Sequence, residues 1–175
     1  MTNGFRRVGD GRIGLDLAPE EAAVLRGLVE QLLELMEALP AGDPGLAELG
    51  ISESTEAPED PALARLFPDG YRDDPDAAGE FRRYTESGLR DGKREAAETV
   101  LKGLAETKIV LDDAQAHAWL RSLNDLRLTL GTRLEVTEDF YERAEELDWD
   151  DPRYALYAVY DWLGLLQDTL VRSLW

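Results

Sequence analysis

The run Trp119-Leu-Arg-Ser-Leu-Asn-Asp-Leu-Arg-Leu-Thr-Leu-Gly-Thr-Arg-Leu134 constrains this chain more than any other stretch. Its apolar residues recur at three- and four-residue steps, a spacing that a helix gathers onto one face. At about 100° per residue, Ala116, Trp119, Leu120, Leu123, Leu126, Leu130 and Leu134 fall within an arc of about 120°, the width of a core-facing stripe. The rest of the fold has to cover that stripe. Arg127 falls inside the arc and Asn124 at its edge. A guanidinium against an apolar face is costly without acceptors, so Arg127 is expected to have a defined partner: a structural ion pair, or a packed stem with its head snorkelling to water, or else a ligand or interface role. Leu128 points the other way, alongside His117, Arg121, Asn124 and Gly131, and a glycine one turn from an outward leucine predicts a second helix packed close. Arg121, Asn124, Arg127, Leu128 and Gly131 are therefore the candidate interaction residues. Arg121 and Asp125 read as an i,i+4 pair in the less favoured order.

The remaining segments supply what surrounds this helix. Phe5–Val8 and Arg12–Leu17 flank Gly9-Asp10-Gly11, the pattern of a short β-hairpin. Gly9-x-Gly11-x-x-Gly14 also spells the dinucleotide fingerprint, but that motif needs its third glycine to enter a helix, and Gly14 leads into Leu15-Asp-Leu17. Pro19-Glu-Glu opens a helix whose leucines recur to Leu39, and residues 40–60, rich in breakers and acids, predict a mobile loop. Asp60-Pro61, Asp74-Pro75 and Asp151-Pro152 pair a cap with a first-turn proline. Helices are expected after each, the second running through Arg82-Arg83 with a break at Thr85. Leu89, Lys93, Ala97, Val100, Leu101 and Leu104 continue it with helical spacing. Residues 107–111 form a short strand, Asp112 or Asp113 caps the next helix, and Thr137 caps one to about Leu147. The expected fold is a single mostly α domain over 1–175: hairpin 1–18, helix 19–39, loop 40–60 and a helical bundle 61–175. A small antiparallel hairpin or three-stranded sheet beside helices is also a winged-helix-like layout.

Charge and composition narrow the function. The chain carries 37 acidic and 19 basic residues, a formal charge of −18, which opposes binding to nucleic acid or anionic lipid. Only residues 81–133 are slightly basic, so a DNA partner would have to meet Arg82, Arg83, Arg90, Lys93 and Arg94, the candidate phosphate contacts. With no cysteine, disulfides, thiolate metal sites and cysteine nucleophiles are excluded. His117 is the sole histidine, and no convergent groups accompany it, so neither a catalytic residue, a metal site nor a cofactor is expected. The acid pairs at helix starts are accounted for by capping. Met1–Arg7 leads into no apolar stretch, and Tyr154–Trp175 is interrupted by Asp161, Gln167, Asp168 and Arg172, so neither a signal peptide nor a membrane span is expected and a cytoplasmic location follows. That last helix carries apolar residues around most of its circumference. Tyr157, Tyr160, Trp162 and Trp175 are therefore the candidate interface of a homodimer.

Trp119–Leu134 followed by Val136-Thr-Glu-Asp139 resembles the signature of a small actinobacterial group, the AosR-like family, long catalogued as a domain of unknown function. Phe67-Pro-Asp-Gly-Tyr-Arg-Asp-Asp-Pro75, Glu80-Phe-Arg-Arg83 and Leu163-Gly-Leu-Leu-Gln167 are similar to its other recurring segments. A member of that family is described as an oxidative-stress-responsive transcription regulator acting with a stress sigma factor. The resemblance implies a non-enzymatic regulator whose partners include a sigma factor or RNA polymerase. The thiol switch of that member has no counterpart in a chain without cysteine. A scaffold or adaptor whose acidic surface meets a basic protein, without DNA binding, is the alternative.

Overall fold

A computed structural model describes residues 4–39, 42–106 and 108–175. Strands β1 (Arg6–Val8), β2 (Arg12–Asp16) and β3 (Lys108–Leu111) form one antiparallel sheet in the order β1-β2-β3. Asp10 and Gly11 both take positive φ, and the Arg12 N–H donates to the Gly9 carbonyl, closing the hairpin with the twist that Asp-Gly favours. Gly14 lies inside β2 opposite Val110, so the dinucleotide pattern is a strand and its turn. Ile13 and Leu15 from β2, with Ile109 and Leu111 from β3, turn one face of the sheet into the core. Residue 107, the first of the expected third strand, lies outside the described residues.

Seven helices are present among the described residues: α1 (Pro19–Glu37), α2 (Pro44–Glu48), α3 (Pro61–Leu66), α4 (Pro75–Gly103), α5 (Asp113–Arg133), α6 (Phe140–Glu145) and α7 (Pro152–Leu174). The protein is thus mostly α with a small N-terminal sheet. Asp60, Asp74 and Asp151 each accept backbone N–H groups of the helix they precede, as capping requires. Asp43 does the same ahead of Pro44, so the loop expected over residues 40–60 contains a helix. Residues 40 and 41 are not described, and the Ser52 N–H is fastened to the Arg83 carbonyl. Asp112 caps α5 and exchanges bonds with Gln115, a complete capping box.

Two other helix boundaries differ from expectation. α4 does not break at Thr85, because the threonine hydroxyl donates to the Phe81 carbonyl and leaves the helix intact. α6 starts at Phe140 rather than after Thr137, whose hydroxyl bonds the Asp139 carboxylate within a preceding turn. No described helix is long and apolar enough to cross a membrane.

α5 is the hub. Trp119, Leu123 and Leu126 are buried with Leu15, Leu25, Leu32 and Leu166 in one core, and Phe5 meets the Trp119 ring edge-on at 5.8 Å. α1, α3, α4 and α7 all pack on α5. Its burial is wider than the predicted arc: Ala118, Ser122 and Asp125 are buried too, on the face that meets α4. A smaller cluster of Leu134, Phe140 and Tyr157 closes the far end.

α5 ends in a Schellman motif in which the Val136 N–H returns to the Gly131 carbonyl and the Glu135 N–H to that of Thr132. The left-handed position is filled by Glu135 at φ 52°, where an L side chain costs about 1–2 kcal/mol. Part of that cost is offset by the entropy a glycine would lose on folding. Glu135→Gly should therefore raise stability by about 0.5–1 kcal/mol, read as a higher urea midpoint at unchanged slope.

Candidate functional site

Continuing the Ala97–Val100 stripe of α4 backward in steps of three and four lands on Lys93, Glu86 and Arg82. The charges therefore occupy the buried side of the helix. Arg82 is 4% exposed and Glu86 2%. The Arg82 guanidinium donates to Glu86 at 2.8 Å, to the Phe67 carbonyl at 2.9 Å and to Asp69 at 2.8 Å. Burial alone would lower its pKa, but the two carboxylates prevail and hold it above the usual value. Arg90 lies 3.7 Å from the other oxygen of Glu86. Lys93 donates to Asp125 at 2.7 Å across the α4–α5 contact, with its ammonium 5.9 Å from the centre of the Phe67 ring.

This arrangement corrects two expectations. Arg82 cannot serve as a phosphate contact, since its guanidinium is enclosed and already bonded three ways. Arg90 and Lys93 are committed to internal carboxylates, which leaves Arg83 and Arg94 as the half-buried remainder of that set. Asp125 takes Lys93 as its ion partner rather than Arg121. Burial raises the Asp125 carboxyl above its ordinary value, with Lys93 opposing.

The opposite side of α5 meets α7. A Cβ on Gly131 would stand 3.2 Å from the Tyr160 ring, so glycine is what lets that ring lie against α5. The Arg127 guanidinium lies over Gly164, where a Cβ would meet it at 3.7 Å, an ordinary contact. Arg127 donates to Gln167 Oε1 at 2.7 Å, and its guanidinium sits 5.1 Å from the centre of the Tyr160 ring. Gln167 in turn donates weakly to Asn124 at 3.4 Å. Arg127, Leu128 and Gly131 line one open cleft of about 730 Å³ with Pro61, Ala64, Arg65 and Val136. Arg121 stands apart, on the α4–α5 groove with Leu89. The partner expected for Arg127 is thus a neutral amide and an aromatic face, not a carboxylate. Helical spacing placed Arg127 on its face but carried no signal for residues forty positions away.

Of the aromatic residues assigned to a subunit interface, Tyr157 is buried and stacks on Phe140 at 4.6 Å, which removes it. Tyr160 packs on Phe140 and α5, and Trp162 against the core. Trp175 is 76% exposed, with its ring edge toward His117 at 6.2 Å. Exposed aromatic residues that sequence reasoning passed over fall in two groups: Tyr71, Phe81 and Tyr84 around the start of α4, and Tyr141, Trp149 and Tyr154, the last three at 64%, 85% and 49%. Tyr141, Trp149 and Tyr154 sit around α6 and the start of α7, among Glu138, Glu142, Glu145, Asp148, Asp150 and Asp151. Tyr141 and Tyr154 border a groove of about 510 Å³ with Leu147 and Ala158. The Trp-Asp-Asp run around Trp149 was read only for its capping acids.

Residues 2–174 match the family described as a domain of unknown function, DUF2017. The oxidative stress regulator AosR of Mycobacterium tuberculosis (strain ATCC 25618 / H37Rv) is 35% identical, over 91% of this chain and 81% of its own. A relative in Mycobacterium leprae (strain TN) is 36% identical, over 90% of this chain and 80% of its own. No solved structure matches. The chain belongs to the DUF2017 family.

The seam predicts a pH-dependent mutational cost. Removing Lys93 strands a buried carboxylate, so Lys93→Ala should destabilise by about 2–3 kcal/mol at neutral pH. A carboxyl whose pKa is raised on folding holds its proton more tightly in the native state, so its ionisation weakens the fold as pH climbs past about 4. Without Lys93 that loss grows. The deficit of Lys93→Ala should accordingly shrink toward acid and open as pH rises, measured by urea unfolding of both proteins across that range.

Proposed function

We propose that this member of the DUF2017 family is a non-enzymatic regulatory protein of a stress response, acting through contact with another protein. Its relatives named oxidative stress regulators support the role. The observation that carries the mode is the fate of the basic segment: Arg82, Arg90 and Lys93 are spent on Glu86, Asp69 and Asp125. Of the five candidate phosphate contacts, two half-buried arginines, Arg83 and Arg94, remain, on a chain of −18. With that set reduced and a net charge of −18, only weak DNA affinity is expected.

Tyr141, Trp149 and Tyr154 offer a more suitable contact. Tyr and Trp dominate the energetics of protein interfaces, and a surrounding ring of carboxylates steers a basic partner. The partner class this reading takes is a sigma factor or RNA polymerase presenting a basic surface. A homodimer belongs to the same proposal on a smaller surface, Val171 on the last turn of α7 with Trp175 just after it, both exposed. A monomer mass by light scattering at micromolar concentration would remove it.

Purified sigma factors and RNA polymerase, passed over the immobilised full chain, should be retained in a salt-dependent way. Trp149→Ser should weaken that retention by at least about tenfold, since truncating an interface tryptophan commonly costs 2 kcal/mol or more. Labelled promoter fragments should show no anisotropy change at low salt. Tight, salt-sensitive retention of DNA would overturn the protein-contact reading.

A further inference from the structure

The cleft between α3, α5 and α7 contains a cation that the fold leaves without a counter-ion. Arg127 is half-buried, and among the described residues its bonds go to the neutral Gln167 and, at 3.4 Å, the Tyr160 hydroxyl. Its Nε is buried and has no acceptor there. Elsewhere the arrangement is different: Arg82, Lys93 and Arg133 each face a carboxylate. In a chain where acids outnumber bases by 37 to 19, a partly desolvated guanidinium held only by neutral groups is notable; Arg26, which donates to the Leu104 carbonyl, shares that situation, but of the two it is Arg127 that lines this cleft. It is also held firmly, packed over Gly164 and facing the Tyr160 ring. Arg65, exposed and on α3, lines the same cleft.

We propose that this cleft binds a small organic monocarboxylate, its carboxylate received by Arg127 and Arg65 and its apolar body lying against Leu128, Val136 and Tyr160. The volume of about 730 Å³ falls within the range of small-ligand sites. A guanidinium matches the planar carboxylate and forms charge-assisted hydrogen bonds with it. Pro61, Ala64 and Pro68 add aliphatic wall on the α3 side. Two features select a monoanion over phosphate. Glu135 stands on the rim of the cleft, and the net charge of the chain is −18, so each added negative charge meets a larger opposing field. The site stands whether or not the chain is a regulator, since binding is its whole content.

The test is a ¹H–¹⁵N correlation titration of the full chain with phenylacetate, benzyl alcohol, inorganic phosphate and an acetylated tripeptide ending in a free phenylalanine carboxylate. Phenylacetate should shift the amides of residues 128–136 and 160–164, with a dissociation constant on the order of millimolar for a ligand of that size. Benzyl alcohol and phosphate should bind at least about tenfold more weakly. Arg127→Gln should abolish the phenylacetate shifts while Arg83→Gln leaves them unchanged. If Arg127→Gln does not fold, phenylacetate against benzyl alcohol on the unaltered chain still decides. Equal binding of the alcohol, equal or tighter binding of phosphate, shifts confined to other surfaces, or no shifts by roughly 20 mM would overturn the proposal. Tripeptide binding more than about tenfold tighter than phenylacetate would also overturn it, by assigning the site to a protein C-terminus.

Discussion

The contact between α4 and α5 sets the arrangement of the rest of the chain, because it buries charge. Glu86 and Asp125 are both inside, and each meets a cation from α4 at hydrogen-bond distance. Apolar helices can slide past one another at modest cost, whereas separating a buried ion pair leaves each charge uncompensated. A slip of one turn, about 5.4 Å, would take Lys93 from Asp125 and Arg82 from the Phe67 carbonyl together. The register of α4 on α5 is fixed by that pairing. It also fixes the Phe67–Asp69 segment that joins α3 to α4, since Arg82 holds it from inside. Once α5 is oriented, its Trp119–Leu126 stripe faces the sheet and α1, and its Asn124–Gly131 side is left for α7.

Periodic and local features were legible in the sequence; those set by distant neighbours were not. The hairpin at Asp10-Gly11, the caps at Asp60, Asp74 and Asp151, and the stripe through Trp119 and Leu123 follow from chemistry within a few residues. Asp43-Pro44 carried the same cap signal, obscured by the surrounding breakers. Thr85 was misjudged because a threonine hydroxyl can serve either as a cap or as a back-bonded group inside a helix. The choice depends on whether the next turn has somewhere to pack. Tyr157 and Tyr160 were legible as large aromatic residues but not as belonging to a cluster with Phe140, which is set by how α6 folds back on α7.

Arg82 and Arg127 show the limit most clearly, because the surroundings of each are set by residues outside its own helix. Arg82, in a run of basic residues, was assigned to the surface and is enclosed. Arg127, inside an apolar arc, was assigned a partner in the fold and met neutral groups at the wall of a cleft. A helical wheel counts the apolar residues beside an arginine but not the carboxylates opposite it. For α4 the omission was partly avoidable, since the Ala97–Val100 stripe extended backward passes through Lys93, Glu86 and Arg82. For α5 it was not, since Gln167 and Tyr160 lie on another helix.

That contrast bears on how charge should be read as function. Segment by segment, residues 81–133 looked like the basic patch of the chain. Counted by availability, much of its cationic charge is neutralised internally, and a half-buried cation facing an open cleft is Arg127. A charge contributes to recognition only as far as it remains unsatisfied in the folded state, and pairing inside the fold removes it from the surface field. Because each internal pair withdraws a carboxylate as well as a cation, the surface keeps the acidic balance of the composition. Arg127 differs from the exposed cations that remain, since it is half-buried, packed against Tyr160 and lines a cleft.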